Sequence, residues 1–313
     1  MSFSPDDQAN TRARLRMLLG RLPAWDRPIS AVVQGEPYSH AQGFMVQKLE
    51  LELNGIEPVP AYYVRPAGRD GERLPAVLYH HSHGGEYHIG KEELLAGRGY
   101  MQSPGYAAAL TRAGFAALVI DCWNFGERHR RTETSVFKEM LWKGQILWGM
   151  MLYDAVRSLD YLVSRNDVDP SRIGTLGMSM GSTLAWWLAA LDPRIAACVD
   201  ICCLTDFHAL IEYDALDEHG VYYYVPDLLN HFSTSSINAL ICPRPHLSLA
   251  GTLDPLTPAR GLDRIDSHLK TVYGNAGAGE AWKLMRQDVG HQETPEMRSE
   301  TLGWLQRWLA SSD

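Results

Sequence analysis

Hydrophobic and polar positions follow three different rhythms along this chain. Behind Ser4-Pro5-Asp6-Asp7, Leu15, Leu18, Leu19 and Leu22 recur at helical spacing. A serine N-cap, a proline at the first helical position and acids in the first turn mark the start of that helix. From Phe44 to Leu53 the rhythm becomes alternation, Phe44 and Val46 standing in register with Lys48, Glu50 and Glu52. Asn54-Gly55 then reads as a hairpin turn and Ile56 to Val64 as the return strand, which Pro58 and Pro60 confine to an edge. From residue 75 onward short apolar runs, at 75–80, 115–121, 172–176, 195–202, 245–250 and 281–289, alternate with helical patterns.

The helical patterns run from Ser103-Pro104 to a C-cap at Gly114, from Ser135 to Ser164 with a break near Gly144 or Gly149, from Ser182 to Leu191, from Ala259 to Tyr273, and from Thr294-Pro295-Glu296 through Leu302, Leu305, Trp308 and Leu309. Strands and helices alternating in this way predict an α/β fold, a doubly wound, mostly parallel sheet with helices on both faces. Two stretches, near 122–150 and 205–240, do not fit the alternation and are read as a small cap. Residues 1–313 are expected to form a single domain with an N-terminal helical extension over 1–40. That extension either covers the sheet or joins an oligomer contact, so a homo-oligomer stays open.

Charge narrows the partners. Lys and Arg number 29 against 37 Asp and Glu, a formal charge of −8, which disfavours nucleic acid and gives no basic patch for a membrane surface. No signal peptide is visible at MSFSPDDQAN and no apolar run approaches membrane-spanning length. Five scattered cysteines, Cys122, Cys198, Cys202, Cys203 and Cys242, fit a reduced, cytoplasmic protein better than a disulfide scaffold.

The chemistry concentrates at Arg172 to Gly181, RIGTLGMSMG. An apolar strand enters Gly177-Met178-Ser179-Met180-Gly181, and an Ala- and Trp-rich helix leaves it. Strand, tight turn with serine at the apex, and helix make the context of a G-x-S-x-G nucleophile elbow. A serine hydroxyl needs a base within reach, and the base needs an orienting carboxylate. In doubly wound hydrolases these follow in the order serine, acid, histidine at strand ends. Ser179, Asp254 and His291 stand in that order, each after an apolar run; Asp206 is the rival acid and Asp200 a weaker one. The oxyanion of acyl transfer needs two backbone N–H donors, assigned to Met180 and to the loop His81-Ser82-His83-Gly84-Gly85, where His83 is chosen over Ser82 or Gly84. Four histidines there (His80, His81, His83, His88) are read as packing around that loop, and no metal is expected. Trp123, Trp142, Trp148 and Tyr222 to Tyr224 are candidates for an acyl or alcohol pocket, and Trp123, Trp148 and Tyr223 are the ones assigned to it. Glu127 and Arg128 are read as an ion pair or loop brace.

These residues resemble the α/β-hydrolase superfamily. Val168-Asp169-Pro170-Ser171-Arg172-Ile173-Gly174 leading into the elbow, Cys242-Pro243-Arg244-Pro245 and Gly290-His291 are similar to the branch holding dienelactone hydrolases, acetyl xylan esterases and prolyl-oligopeptidase-type hydrolases. The resemblance implies an eight-stranded sheet with its second strand antiparallel, no cofactor, and ester hydrolysis through an acyl-enzyme. The chain departs from its relatives in reading His81-Ser82 where many have His-Gly. Its serine replaces the cysteine of dienelactone hydrolases, and it has no N-terminal propeller. The expected function is a serine carboxylic-ester hydrolase acting on a small-molecule ester of a small or medium acyl group. An amide, peptide or C–C bond hydrolase on the same residues and a non-catalytic ligand binder are the alternatives.

Overall fold

The structure is a computed structural model and describes residues 5–310; the serine N-cap expected at Ser4 lies outside them. The chain runs through α1 (Pro5–Met17), β1 (Ser30–Val33), β2 (Tyr38–Ser39), β3 (Phe44–Glu52), β4 (Val59–Pro66), β5 (Leu74–His80), α2 (Glu92–Ala96), α3 (Tyr106–Arg112) and β6 (Ala116–Ile120). It continues with α4 (Glu133–Trp142), α5 (Leu147–Ser164), β7 (Val168–Met178), α6 (Met180–Leu191), β8 (Ala197–Ile201) and α7 (Phe207–Glu212). It ends with α8 (Thr234–Ala239), β9 (His246–Gly251), α9 (Ala259–Asn275), β10 (Trp282–Gln287) and α10 (Pro295–Leu309).

The strands form one sheet in the order β1-β3-β4-β6-β5-β7-β8-β9-β10, with β2 beside β3. From β6 to β10 all pairs are parallel, and β4 is antiparallel to both of its neighbours. The expected eight strands are β3 to β10; β1 and β2 extend the sheet past β3. They escape the sequence pattern because they are short and exposed. One expectation is corrected. β4 is an interior strand, paired with β3 and β6, and not an edge. Pro58 precedes it, and Pro60 sits where β6 has already run out, its carbonyl accepting from the Asp121 amide at 2.9 Å. Neither proline therefore removes a ladder bond from the middle of the strand.

Both faces of the parallel part are covered, which explains its unbroken apolar runs. In β5, Ala76 and Leu78 pack on the side of α1, α5, α6 and α9, while Val77 and Tyr79 pack with α2, α3 and α10. The pattern over 135–164 is two helices, broken at Gly144, whose φ of +69° no helix accommodates. Gly149 stays inside α5, where a side chain would meet the Leu19 carbonyl at 2.0 Å. α1 lies against α6: Arg12 Nε donates to the Ala190 carbonyl at 3.0 Å and an Arg16 guanidinium nitrogen to that of Leu191 at 2.9 Å. These cations sit on the carbonyl end of α6, where the helix dipole favours them.

Register brings the functional loops to one rim. His80 pairs with Gly177, Gly177 with Asp200, and Ile201 with Leu249, so the C-terminal ends of these neighbouring strands are level. The segment after β6 is fixed to the sheet by buried charge. Lys91 Nζ reaches Asp121 at 2.9 Å and Glu127 at 2.6 Å. Arg128 contacts Asp154 of α5 at 2.9 Å and Glu57 at 2.8 Å, with 2% of its side chain exposed. Glu127 and Arg128 are thus loop braces that pair with other elements and not with each other. Removing one partner of a buried pair leaves the other charge uncompensated. Arg128→Met is expected to lower stability by about 3–5 kcal/mol, read as a drop in the urea midpoint. Adding Asp154→Leu to it should recover part of the loss.

Candidate active site

The elbow is a junction of three backbones. β7 ends at Met178, Ser179 takes φ +59° and ψ −121°, and α6 begins at Met180. A side chain on Gly177 would lie 2.2 Å from the Gly181 carbonyl oxygen, and one on Gly181 would lie 2.0 Å from that of His80. Only glycine permits these approaches. The Ser179 amide donates to the Ile201 carbonyl at 2.9 Å, tying the turn to β8. The first amides of α6 have no partner inside the helix, and Met180 N–H is among them.

Asp254 and His291 stand on the loops after β9 and β10. His291 Nδ1 lies 2.7 Å from Asp254 Oδ2, while Asp254 Oδ1 accepts from the Leu256 amide at 3.0 Å. Both oxygens of a fully buried carboxylate are therefore engaged, and the imidazole remains 21% exposed. The rival acids are occupied elsewhere. Asp206 caps α7 by accepting from the Ala209 amide at 2.9 Å. Asp200 is buried against His246 at 2.6 Å and Ser248 at 2.8 Å.

Ser179 and His291 line one cavity of about 400 Å³ with His83, Gly84, Gly85, Tyr100, Cys203, His219, Tyr222 and Leu256, and with Asp217 and Glu218 at its mouth. Of the three aromatics assigned to the pocket, none is in this lining. Trp148 is fully buried and packs on Trp187, Tyr222 and Tyr223. Trp123 lies under the Arg128 guanidinium, 4.4 Å from its ring centre. Tyr223 stacks behind His219 at 4.9 Å and faces a second, apolar cavity with Phe207, Leu210 and Leu228. Tyr222 presents its ring to the Ser179 cavity instead. Three successive tyrosines read alike, and only the short 3-10 turn at Val221–Tyr223 decides which one faces inward.

The loop after β5 is the most elaborately held part of the site. Ser82 N–H donates to both Glu93 oxygens, at 2.9 and 3.1 Å, which removes it as an oxyanion donor and leaves His83 and Gly84. Glu93, with no exposed surface, also accepts from the Tyr79 hydroxyl at 2.8 Å and from Arg98 Nε at 2.8 Å. The His83 ring is fixed on every side. Its Nδ1 accepts from the Gly85 amide at 3.1 Å, its Nε2 meets Glu133 Oε1 at 3.1 Å, and its face stacks on Tyr222 at 5.3 Å. Because Nδ1 accepts, the ring proton sits on Nε2 and is donated to Glu133. Glu93, Arg98 and Glu133 escaped the sequence reading. Lys91-Glu92-Glu93 looks like a solvated helix face and Glu133 like an ordinary first-turn acid, and burial is the only signal that separates them.

The other loop histidines are individually satisfied. His80 Nε2 pairs with Thr175 Oγ1 at 3.0 Å. His81 accepts from the Cys122 amide on Nε2 at 3.1 Å and faces the Ser82 carbonyl with Nδ1 at 2.9 Å. That pair of roles requires a neutral ring. Burial pushes His80 down to about 3 and His81 down to about 4, from an ordinary value of 6.5. In the unfolded chain these rings take up protons below about pH 6.5, while the folded protein refuses them. Their contribution to stability is thus complete above pH 6.5 and is lost as pH falls toward 4 and then 3. The thermal midpoint should fall steadily from pH 6.5 to 4, and His81→Gln should flatten that acid slope.

The relatives agree with this architecture. The Dienelactone hydrolase family model matches residues 60–275. A Bacillus subtilis (strain 168) protein named as a hydrolase, YtaP, is 49% identical over 302 residues, covering 96% of this chain and all of its own. Among solved structures, a glucuronoyl esterase from Solibacter usitatus superposes with a TM-score of 0.71 at 15% identity, covering 96% of this chain and 92% of its own. Acetyl xylan esterase 1 from Thermoanaerobacterium sp. JW/SL YS485 gives 0.63 at 15% identity, with 99% and 96% covered. Among the described residues no helix is long and apolar enough to cross a membrane. With its elbow, its mostly parallel sheet and a family match over most of its length, this chain belongs to the dienelactone hydrolase family, within the α/β-hydrolase superfamily.

Proposed function

We propose that the chain is a serine carboxylic-ester hydrolase for esters of a small or medium acyl group, working through an acyl-enzyme on Ser179. The observation that carries this reading is the 2.7 Å His291–Asp254 contact with imidazole and Ser179 facing a common cavity. Asp254 engages Nδ1, so Nε2 is the nitrogen left for the serine. His291 removes the Ser179 proton as Oγ attacks the ester carbonyl, and returns it to the leaving alkoxide. Asp254 holds the tautomer and stabilises the imidazolium. Water then enters, gives its proton to His291 and attacks the acyl-enzyme, which releases the acid and restores Ser179.

The oxyanion of both tetrahedral intermediates is received by the Met180 amide at the N-terminus of α6 and the His83 amide of the loop after β5. The segments near 122–150 and 205–240 act as the cap, since Glu133 and Tyr222 from them hold His83. A cavity of about 400 Å³ suits a small ester, and the esterases among the structural neighbours support ester over amide chemistry. The cavity lining presents no lysine or arginine and carries Asp217 and Glu218, so an ester without a carboxylate of its own fits best.

Ser179→Ala should abolish hydrolysis of p-nitrophenyl acetate while leaving the circular dichroism spectrum unchanged; undiminished turnover would refute the assignment. Glu133→Ala should lower kcat by about 10-fold or more with little change in KM, because a loosened oxyanion donor weakens only the transition state. Glu133→Gln, which can still accept from His83 Nε2–H, should recover much of the rate.

A further inference from the structure

One thiol beside the site has no part in acyl transfer. Cys202 is the first residue beyond β8, held at φ +55° and fully buried, with its amide donating to the Leu249 carbonyl at 2.7 Å. Its Sγ lies 3.5 Å from the carbonyl of Gln292, the residue after His291. Cys202, Asp254 and His291 each offer one ligand atom within 4.8 Å of the other two. They come from the ends of three neighbouring strands, β8, β9 and β10.

We propose that Cys202, Asp254 and His291 form a binding site for a thiophilic divalent cation of the zinc and cadmium type, whose occupancy switches the hydrolase off. Thiolate, imidazole and carboxylate together are a zinc-type donor set and not one for magnesium or calcium. At ordinary zinc bond lengths, three such ligands stand about 3.3–3.6 Å apart around a tetrahedral ion. The loops therefore need move by no more than about an ångström to reach that geometry. The partly exposed imidazole gives the ion a path in from the cavity, and a water on that side completes the coordination. The ion displaces the Cys202 thiol proton, which leaves to solvent through the cavity, and the neutral imidazole binds through one nitrogen while keeping its proton on the other; ring and carboxylate are thereby withdrawn from Ser179, with no change of oxidation state.

The contrast with a second triplet sharpens the assignment. Cys198, Asp200 and His246 also bring three donor atoms together, but all three are buried within the sheet. None of the three has exposed surface through which an ion could enter, and they carry no such proposal.

Binding is independent of the assigned catalysis; only the inhibition rests on it. The test uses the reduced, metal-stripped full chain, titrated with Cd²⁺ while the ultraviolet thiolate-to-cadmium charge-transfer band is followed. In parallel, Zn²⁺ is titrated into p-nitrophenyl acetate hydrolysis, each variant being read against its own uninhibited rate. Wild type and Cys203→Ser should show the band at one ion per chain and be inhibited. Cys202→Ser and Cys202→Ala should lose the band and need about 10-fold more Zn²⁺ or beyond for the same inhibition. No band in wild type and Cys203→Ser overturns the site, as does unchanged inhibition of Cys202→Ala. A chain that binds Cd²⁺ through Cys202 yet hydrolyses no ester would overturn the proposed function and leave the site standing. Should both Cys202 variants fail to fold, His291→Gln, read by the cadmium band alone, decides: a weakened band supports the site and an undiminished band overturns it.

Discussion

The close approach of β5, β7 and α6 around Ser179 is the constraint on which the rest of the rim depends. The Gly177 and Gly181 positions leave no room for a Cβ, and Ser179 is held in the left-handed region where a non-glycine residue costs about 1 kcal/mol or more. That strain persists because the surroundings over-determine the turn. The Ser179 amide is bonded to β8, the preceding strand is paired on both sides, and the helix that follows is apolar all round, with Trp186 and Trp187 in the core. A relaxed turn would have to break sheet pairing or expose that helix, and either costs more than the strain it relieves.

Around this junction the chain spends buried charge on geometry. Glu93 with Arg98, Asp121 with Lys91, Asp154 with Arg128, and Glu293 with Arg298 all sit at or under the loops of the rim. Such pairs are poor sources of net stability, because desolvation offsets most of their attraction. What they supply here is direction. A loop cannot rely on a strand ladder, so each carboxylate takes over the backbone amides and side chains that would otherwise lack partners. Glu93 does this for Ser82, Asp121 for Lys91 and Glu127, and Glu293 for Gln102, whose amide it receives at 2.9 Å. The hydroxyl of Ser82 is absorbed in the same way. Its oxygen lies 3.2 Å from Glu93 Oε1 and 3.1 Å from the Met178 carbonyl, two acceptors for its single proton.

What was legible in the sequence follows from this division. Wherever an element is fixed by burying an apolar face, period and punctuation revealed it. β5 to β10, α6, α9 and α10 were expected within a few residues of where they stand. The places of Ser179, Asp254 and His291 at strand ends were legible because each follows a strand whose end is readable. Illegible were features decided by tertiary pairing: β4 lying inside the sheet despite its prolines, β1 and β2 forming without apolar alternation, and Tyr222 facing the cavity in place of Tyr223. The buried acids were hidden for a chemical reason. A glutamate at a helix start carries the same local preference in water or beneath a loop, and only its partners, 11 residues away for Ser82 and Glu93 or 50 for His83 and Glu133, reveal which it is.

This division also explains why family membership describes the chemistry better than the substrate. The elbow and the loops that carry Asp254 and His291 sit where register and glycine geometry leave little choice, and the fold that places them is shared with structures only 15% identical to this chain. The cavity walls come from segments with no such constraint. Three short 3-10 turns and two brief helices over 207–239, together with the stretch from Gly126 to Trp142, are held by individual side chains such as Glu133, His219 and Arg128. Replacing a few of those contacts reshapes the cavity without disturbing the strand ends. A reshaped cavity therefore requires alterations at the contacts that hold 126–142 and 207–239 and none at Gly177 or Gly181, so the shape of the cavity has to be read from the buried polar partners of those segments.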